Sequence, residues 1–165
     1  MRKAVPGYED YCVEVNDEEV LLLNSRGKRM KNNIHRGRVK WKLVKDGVQR
    51  GYYAEDIMAA MFPEIPRREW IFKLYKGVVD EERERTYTVE VIPGVKLTNT
   101  WIPGSYYLST PLEMDLEKDI KKMFPGFVIN IEEGNNLRTW REIYFRADEC
   151  FLLVLERMKI FFGIP

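Results

Sequence analysis

The sequence predicts an α+β protein in two parts. The first is an N-terminal four-stranded β-hairpin unit with a short helix, and the second is an α+β unit ending in a long amphipathic helix. Three observations carry this reading. Residues 36–43 alternate between cations (Arg36, Arg38, Lys40, Lys42) and small or apolar residues (Gly37, Val39, Trp41, Leu43), the period of a strand with one face buried. Short β-rich runs bounded by Pro-Gly, Asn-Asp and Asp-Gly pairs recur through the first 54 residues. Near the C-terminus Trp140, Ile143, Tyr144, Ala147, Cys150, Phe151 and Val154 fall at helical spacing.

Taken in order, Pro6-Gly7 turns the chain into a strand over residues 11–15, with Tyr11, Val13 and Val15 on one side. Asn16-Asp17 turns it again, and residues 19–24 hold the apolar run Val20-Leu-Leu-Leu23 of a more buried strand. After the Ser25-Arg26-Gly27 turn, a basic connection over residues 28–35 leads to the strand at 36–45. Asp46-Gly47 accepts the positive φ of a tight hairpin turn, so residues 48–54 return as a fourth strand. Residues 55–62 form a short helix with Glu55 and Asp56 in its first turn, where acids favour the dipole, and Pro63 and Pro66 close it. The first part is therefore residues 1–66 and the second residues 67–165. In the second, strands are expected at 70–79 and 86–92 around a charged turn at 80–85. A strand-like stretch at 96–108 is broken at 102–104. A helix runs from Thr110-Pro111 to Met123, a strand covers 127–131, and one helix spans 136–162.

Charge is segregated. The chain has 27 Lys and Arg against 26 Asp and Glu, yet residues 24–53 hold ten of the cations and a single acid, Asp46. Residues 55–165 carry 15 basic and 19 acidic residues. A row of cations whose opposite face docks on a core suits a sheet laid on phosphates, whereas a cationic row with acids interspersed would be an ordinary solvated face. The candidate phosphate contacts are Arg26, Lys28, Arg29, Lys31, Arg36, Arg38, Lys40, Lys42 and Lys45. Ile160, Phe161 and Phe162 end the last helix and are apolar enough to need a partner surface, either the core or another chain.

The motifs Val5-Pro-Gly-Tyr-Glu-Asp-Tyr11, Val15-Asn16, Val20 and Gly27-Lys-Arg-Met-Lys31 occur in that order over the first 63 residues. They resemble the nuclease-associated modular domain found beside HNH endonucleases of bacteriophages and introns. The basic hairpin of that family would here be residues 36–53, and its short helix the Ile57-Met-Ala-Ala-Met-Phe62 run. The resemblance implies a phage or mobile-element origin and an ancestral DNA-binding role. Four departures stand out, the first being that Asp17-Glu18-Glu19 is unusually acidic. Glu55-Asp56 occupy the place where the family often carries His-Arg, the Ser of the Val-Ser-Asn step is missing, and no HNH nuclease follows.

Catalytic chemistry is poorly provided for. An HNH site needs one His as general base and another as metal ligand, and His35 is the only histidine. No Glu-x-Lys of a restriction-type nuclease occurs, and the one Asp-x-Lys, Asp119-Ile-Lys121, falls in an expected helix. No Gly-rich phosphate loop is present, and Cys12 and Cys150 cannot make a four-ligand zinc site. The expectation is a non-catalytic protein with no cofactor and no metal. Its expected partner is duplex DNA; the alternative is a phage accessory protein, a host-defence inhibitor or virion component, that binds a protein or a second copy of itself through the C-terminal helix. No run approaches the roughly 18 apolar residues of a membrane span, and Met1 to Gly7 lacks the apolar core of a secretory signal, so the expected location is the host cytoplasm or a virion.

Overall fold

The computed structural model describes residues 1–76, 78, 87–100, 102, 104–124, 128–133 (backbone only) and 140–165. It is an α+β fold whose described residues form eleven strands, in three antiparallel sheets, and four helices. The chain divides into two compact units, Met1–Lys76 and Gly77–Pro165. Among the described residues no helix is long and apolar enough to cross a membrane.

In the first unit, β1 (Arg2–Val5), β2 (Tyr8–Val15) and β3 (Val20–Leu23) make one three-stranded meander. β4 (Asn33–His35), β5 (Arg38–Lys45) and β6 (Val48–Tyr53) make a second. The expected strands at 11–15, 19–24, 36–45 and 48–54 correspond to β2, β3, β5 and β6; β1 and β4 are additional. Pattern decides which faces meet. Val13, Val15 and Leu22 are buried from one sheet, Val39, Trp41 and Leu43 from the other. The Tyr11 hydroxyl accepts the Val44 N–H at 3.2 Å, joining the two sheets.

Helix α1 (Ala54–Met61) follows β6 without a loop and buries Ala54, Met58 and Met61. Lys3 reaches its C-terminal end, donating to the Met61 carbonyl at 2.8 Å and pairing with Glu64 at 2.6 Å. That hydrogen bond from Lys3 holds the Glu64 carboxyl below the usual carboxylate range. The strand expected over 70–79 is instead α2 (Arg67–Leu74) in its described part. Trp70, Ile71 and Leu74 are buried, the i, i+1, i+4 set of one helix face, and Glu69 and Lys73 sit where the dipole favours each sign.

The second unit is a five-stranded antiparallel sheet, β10 (Val128–Glu133), β11 (Trp140–Arg146), β9 (Ser105–Pro111), β8 (Val95–Asn99) and β7 (Thr88–Ile92), in that spatial order. Leu97, Leu108 and Ile143 line up across three strands on its buried face. There they pack with Ile120 and Phe124 from the end of α3 (Glu117–Met123) and with Val154, Leu155 and Met158 of α4 (Phe151–Phe161).

Two expectations are corrected in this unit. Pro111 does not open a helix; it ends β9, opposite Trp140, and α3 begins six residues later, where the Asp115 carboxylate accepts the Glu117 N–H at 3.2 Å. The expected long helix over 136–162 is a strand followed by a shorter helix, because Ile143 and Phe145 alternate with outward Glu142 and Tyr144, and Cys150 occupies the N-cap of α4 in an extended conformation. The expected features at 80–85, 125–126 and 136–139 lie outside the described residues.

Ile160, Phe161 and Phe162 divide between the two roles open to them. Phe162 packs with Ile164 against the core of this unit, whereas Ile160 and Phe161 stay 44% and 41% exposed. Phe162→Ala is therefore expected to cost about 2 kcal/mol, below the 3–5 of a fully buried Phe because this ring is only partly covered. A thermal melt compared with that of Phe161→Ala, expected to change stability little, checks the distinction.

Candidate nucleic-acid interface

The site is built on two hairpins that share β5. Arg36 and Gly37 have φ of 51° and 72°, and Asp46 and Gly47 of 52° and 75°, so both turns have positive φ at their two central residues. That is the tight two-residue form whose twist matches the strands. The second turn is the one the Asp-Gly pair predicts; the first was not read from the sequence, and it moves Arg36 out of the strand to the corner of a turn. With turns this short, register is fixed: Asn33, His35, Gln49, Gly51 and Tyr53 come onto the same face as Arg38, Lys40 and Lys42. On the opposite face Val39, Trp41 and Leu43 are wholly buried, and the Trp41 indole N–H donates to the Asn32 Oδ1 at 2.7 Å.

The cations of this face are not equivalent. The Arg38 guanidinium carbon lies 4.0 Å from the centre of the Tyr53 ring, with its Nε 3.8 Å from Glu55 and its Nη2 3.6 Å from Asp56. Stacking and two carboxylates fix its direction and offset part of its charge. Glu55 in turn receives the Tyr75 hydroxyl and lies 3.7 Å from Arg67. Lys40 extends its hydrocarbon chain across the bare backbone of Gly51, where an added Cβ would come within 2.3 Å of the Lys40 Cε, and carries its ammonium 5.9 Å from the Tyr53 ring. Lys42 is exposed. Among the described residues, neither Lys40 nor Lys42 has a carboxylate within ion-pair distance. His35 shares a 3.0 Å hydrogen bond with the Tyr53 hydroxyl at the edge of the face.

The other candidate cations fall elsewhere. Lys45 has the parity of Trp41 and Leu43, so it projects to the far side of the hairpin tip. Arg26, Lys28, Arg29 and Lys31 belong to the loop after β3, which Asn24 organises by accepting the Arg26 and Lys28 N–H groups at 3.0 and 2.9 Å. Arg29 is paired with Glu19 at 3.1 Å, while Arg26, Lys28 and Lys31 are exposed. Tyr53, Asn33 and Gln49 are not singled out by the charge pattern, although the two-residue Asp46-Gly47 turn carries the register that brings Gln49 and Tyr53 onto the face.

No family model, no curated protein and no solved structure matches this chain.

Proposed function

We propose that this is a non-catalytic DNA-binding protein of phage or mobile-element origin that lays the outer face of β4, β5 and β6 on duplex DNA. The observation that supports this best is the Lys40–Lys42 pair, two cations with no carboxylate partner among the described residues, on a strand whose other face is pinned by Val39, Trp41 and Leu43. A face held this rigidly presents its charges without the ordering cost of a flexible loop. The major groove admits a β-ribbon, so backbone phosphates on its walls fall to lysines while Arg38, held against Tyr53, faces the groove. Few base-directed groups accompany it, and strong sequence preference is not expected.

The test is a salt titration of duplex binding by fluorescence anisotropy. With Lys40 and Lys42 joined on phosphates by about two to four of the exposed turn and loop cations Arg36, Arg26, Lys28 and Lys31, log K falls against log salt with a slope of about −4 to −5. A flat response would remove the reading.

A second reading, a phage accessory protein that binds a protein partner, draws on Ile160 and Phe161, two large apolar side chains exposed on the last turn of α4. Light scattering of the full chain beside an Ile160→Glu, Phe161→Glu variant separates the two. A dimer that this variant splits would favour the second reading.

A further inference from the structure

We propose that the groove beside the tip of the β5–β6 hairpin binds a nucleoside monophosphate, its phosphate on Lys45 and Arg50 and its base against the apolar wall of α1. The site uses different cations from the duplex face and does not rest on that reading.

The groove has two parts with a common wall. The apolar part, of about 360 Å³, runs between the β1–β2 turn, the edge of the sheet and α1, where Leu43, Tyr52, Ile57, Ala60 and Met61 line it. The polar part, of about 440 Å³, lies toward the hairpin tip, where Lys45, Arg50 and Val48 face Gly7. Tyr8 and Tyr52 line both, so the two adjoin across this pair and a ligand occupying both lies over it. Their rings meet edge to face at 5.6 Å and their hydroxyls share a 2.7 Å hydrogen bond.

Register explains why the cations gather there. Arg50 pairs with Leu43, Tyr52 with Trp41 and Val48 with Lys45, so all of them share the inner face. The hairpin tip outruns the core that buries Leu43, and the last residues of that face become the wall of a cleft instead. The Tyr52 hydroxyl raises the Tyr8 pKa above its ordinary value, with Arg50 opposing from close by, so Tyr8 remains a neutral hydrogen-bonding partner at neutral pH.

Chemistry and size then narrow the ligand. Each part of the groove is within the volume range of small-molecule sites. Two cations and two hydroxyls around one end fit a dianionic phosphate monoester, with the Arg50 fork able to take two of its oxygens. Asp46 at the turn is the one acid among the described residues that line that end and is outnumbered. At the other end, among the described residues, Asp56 is the one charged lining residue; its Oδ1 lies 3.6 Å from Arg38 and its second oxygen has no ion-pair partner. It would repel a phosphate and accept a hydrogen bond from an exocyclic amine, which orients the ligand. Between them the tyrosine and aliphatic walls take a flat ring, as aromatic platforms take bases.

Calorimetry with dAMP, deoxyadenosine and inorganic phosphate on the full chain tests this, with amide shifts of Gly7, Tyr52 and Ala60 as the locator. dAMP is expected to bind at least tenfold more tightly than either of the others and to shift all three amides. Arg50→Gln is expected to weaken dAMP about tenfold without weakening deoxyadenosine, and Ala60→Trp, a change on an exposed helix position, to block both. If dAMP binds no better than phosphate, or Arg50→Gln leaves it unchanged, the proposal is overturned. A 5′-phosphorylated trinucleotide added in parallel identifies the source: tighter binding than dAMP points to a strand end, weaker binding to the free nucleotide.

Discussion

Lys40→Glu combined with Lys42→Glu is expected to reduce duplex affinity by two to three orders of magnitude at moderate salt while the protein remains folded. Each lysine removed forfeits a phosphate contact, and each glutamate installed adds a like-charge repulsion. Together they are worth about 3–4 kcal/mol, or roughly a hundred- to thousandfold in K. The salt slope should shrink by about two units as two neutralised phosphates are lost. The fold has little at stake, because both side chains leave the face opposite Val39, Trp41 and Leu43, and surface changes of this kind stay within about 0.5 kcal/mol. Anisotropy and a thermal melt on the same sample check both halves. Wild-type affinity in a folded variant would mean that DNA, if bound at all, is bound elsewhere.

The largest effect on stability is expected from Trp41→Ala. Trp41 is completely buried and donates its indole N–H to Asn32, so the substitution opens a cavity and strips a half-buried acceptor of its donor. The usual cost of such a truncation is about 3–5 kcal/mol, which is comparable with the whole stability of a small unit. Trp41→Phe keeps much of the volume and should lose far less; the difference separates packing from the hydrogen bond. Since the chain has two units, hydrogen exchange at the β5 amides is the measurement that assigns the loss to the first.

The parts of this fold that the sequence shows are those where one short-range rule acts alone. The alternation from Arg38 to Leu43 needed only the two-residue period, and the Asp46-Gly47 turn only the steric freedom of those residues at positive φ. Where two rules compete, the reading fails. Trp70, Ile71 and Leu74 lie in a nearly continuous apolar run that suits a buried strand as well as a helix, and only packing decides. Trp140, Ile143, Tyr144 and Ala147 fit helical spacing by coincidence. The same stretch also alternates as a strand, and pairing with β9 selects the second pattern. The candidate site was legible as charge but not as geometry. Nothing local says that Arg38 would meet Glu55, Asp56 and Tyr53, whereas the odd parity of Lys45 and the two-residue turn already set it apart from Lys40 and Lys42 and on the face of Arg50.

Tyr75 bears on how small a working fragment of the first unit can be. β6 gives way to α1 after Tyr53, so the neighbouring strand ends just where the Val39 amide would seek a partner. The Tyr75 hydroxyl accepts that amide at 3.1 Å and donates its own hydrogen bond to Glu55. A peptide ending at residue 66 would contain all six strands and α1, yet it would leave Val39 with an unanswered buried donor, at about 1–3 kcal/mol. Glu55 would lose the hydroxyl that steadies it beside Arg38. Supplying residues 67–76 as a separate peptide should then restore order to such a fragment by complementation, since Trp70, Ile71, Leu74 and Tyr75 carry both the apolar surface and the missing acceptor.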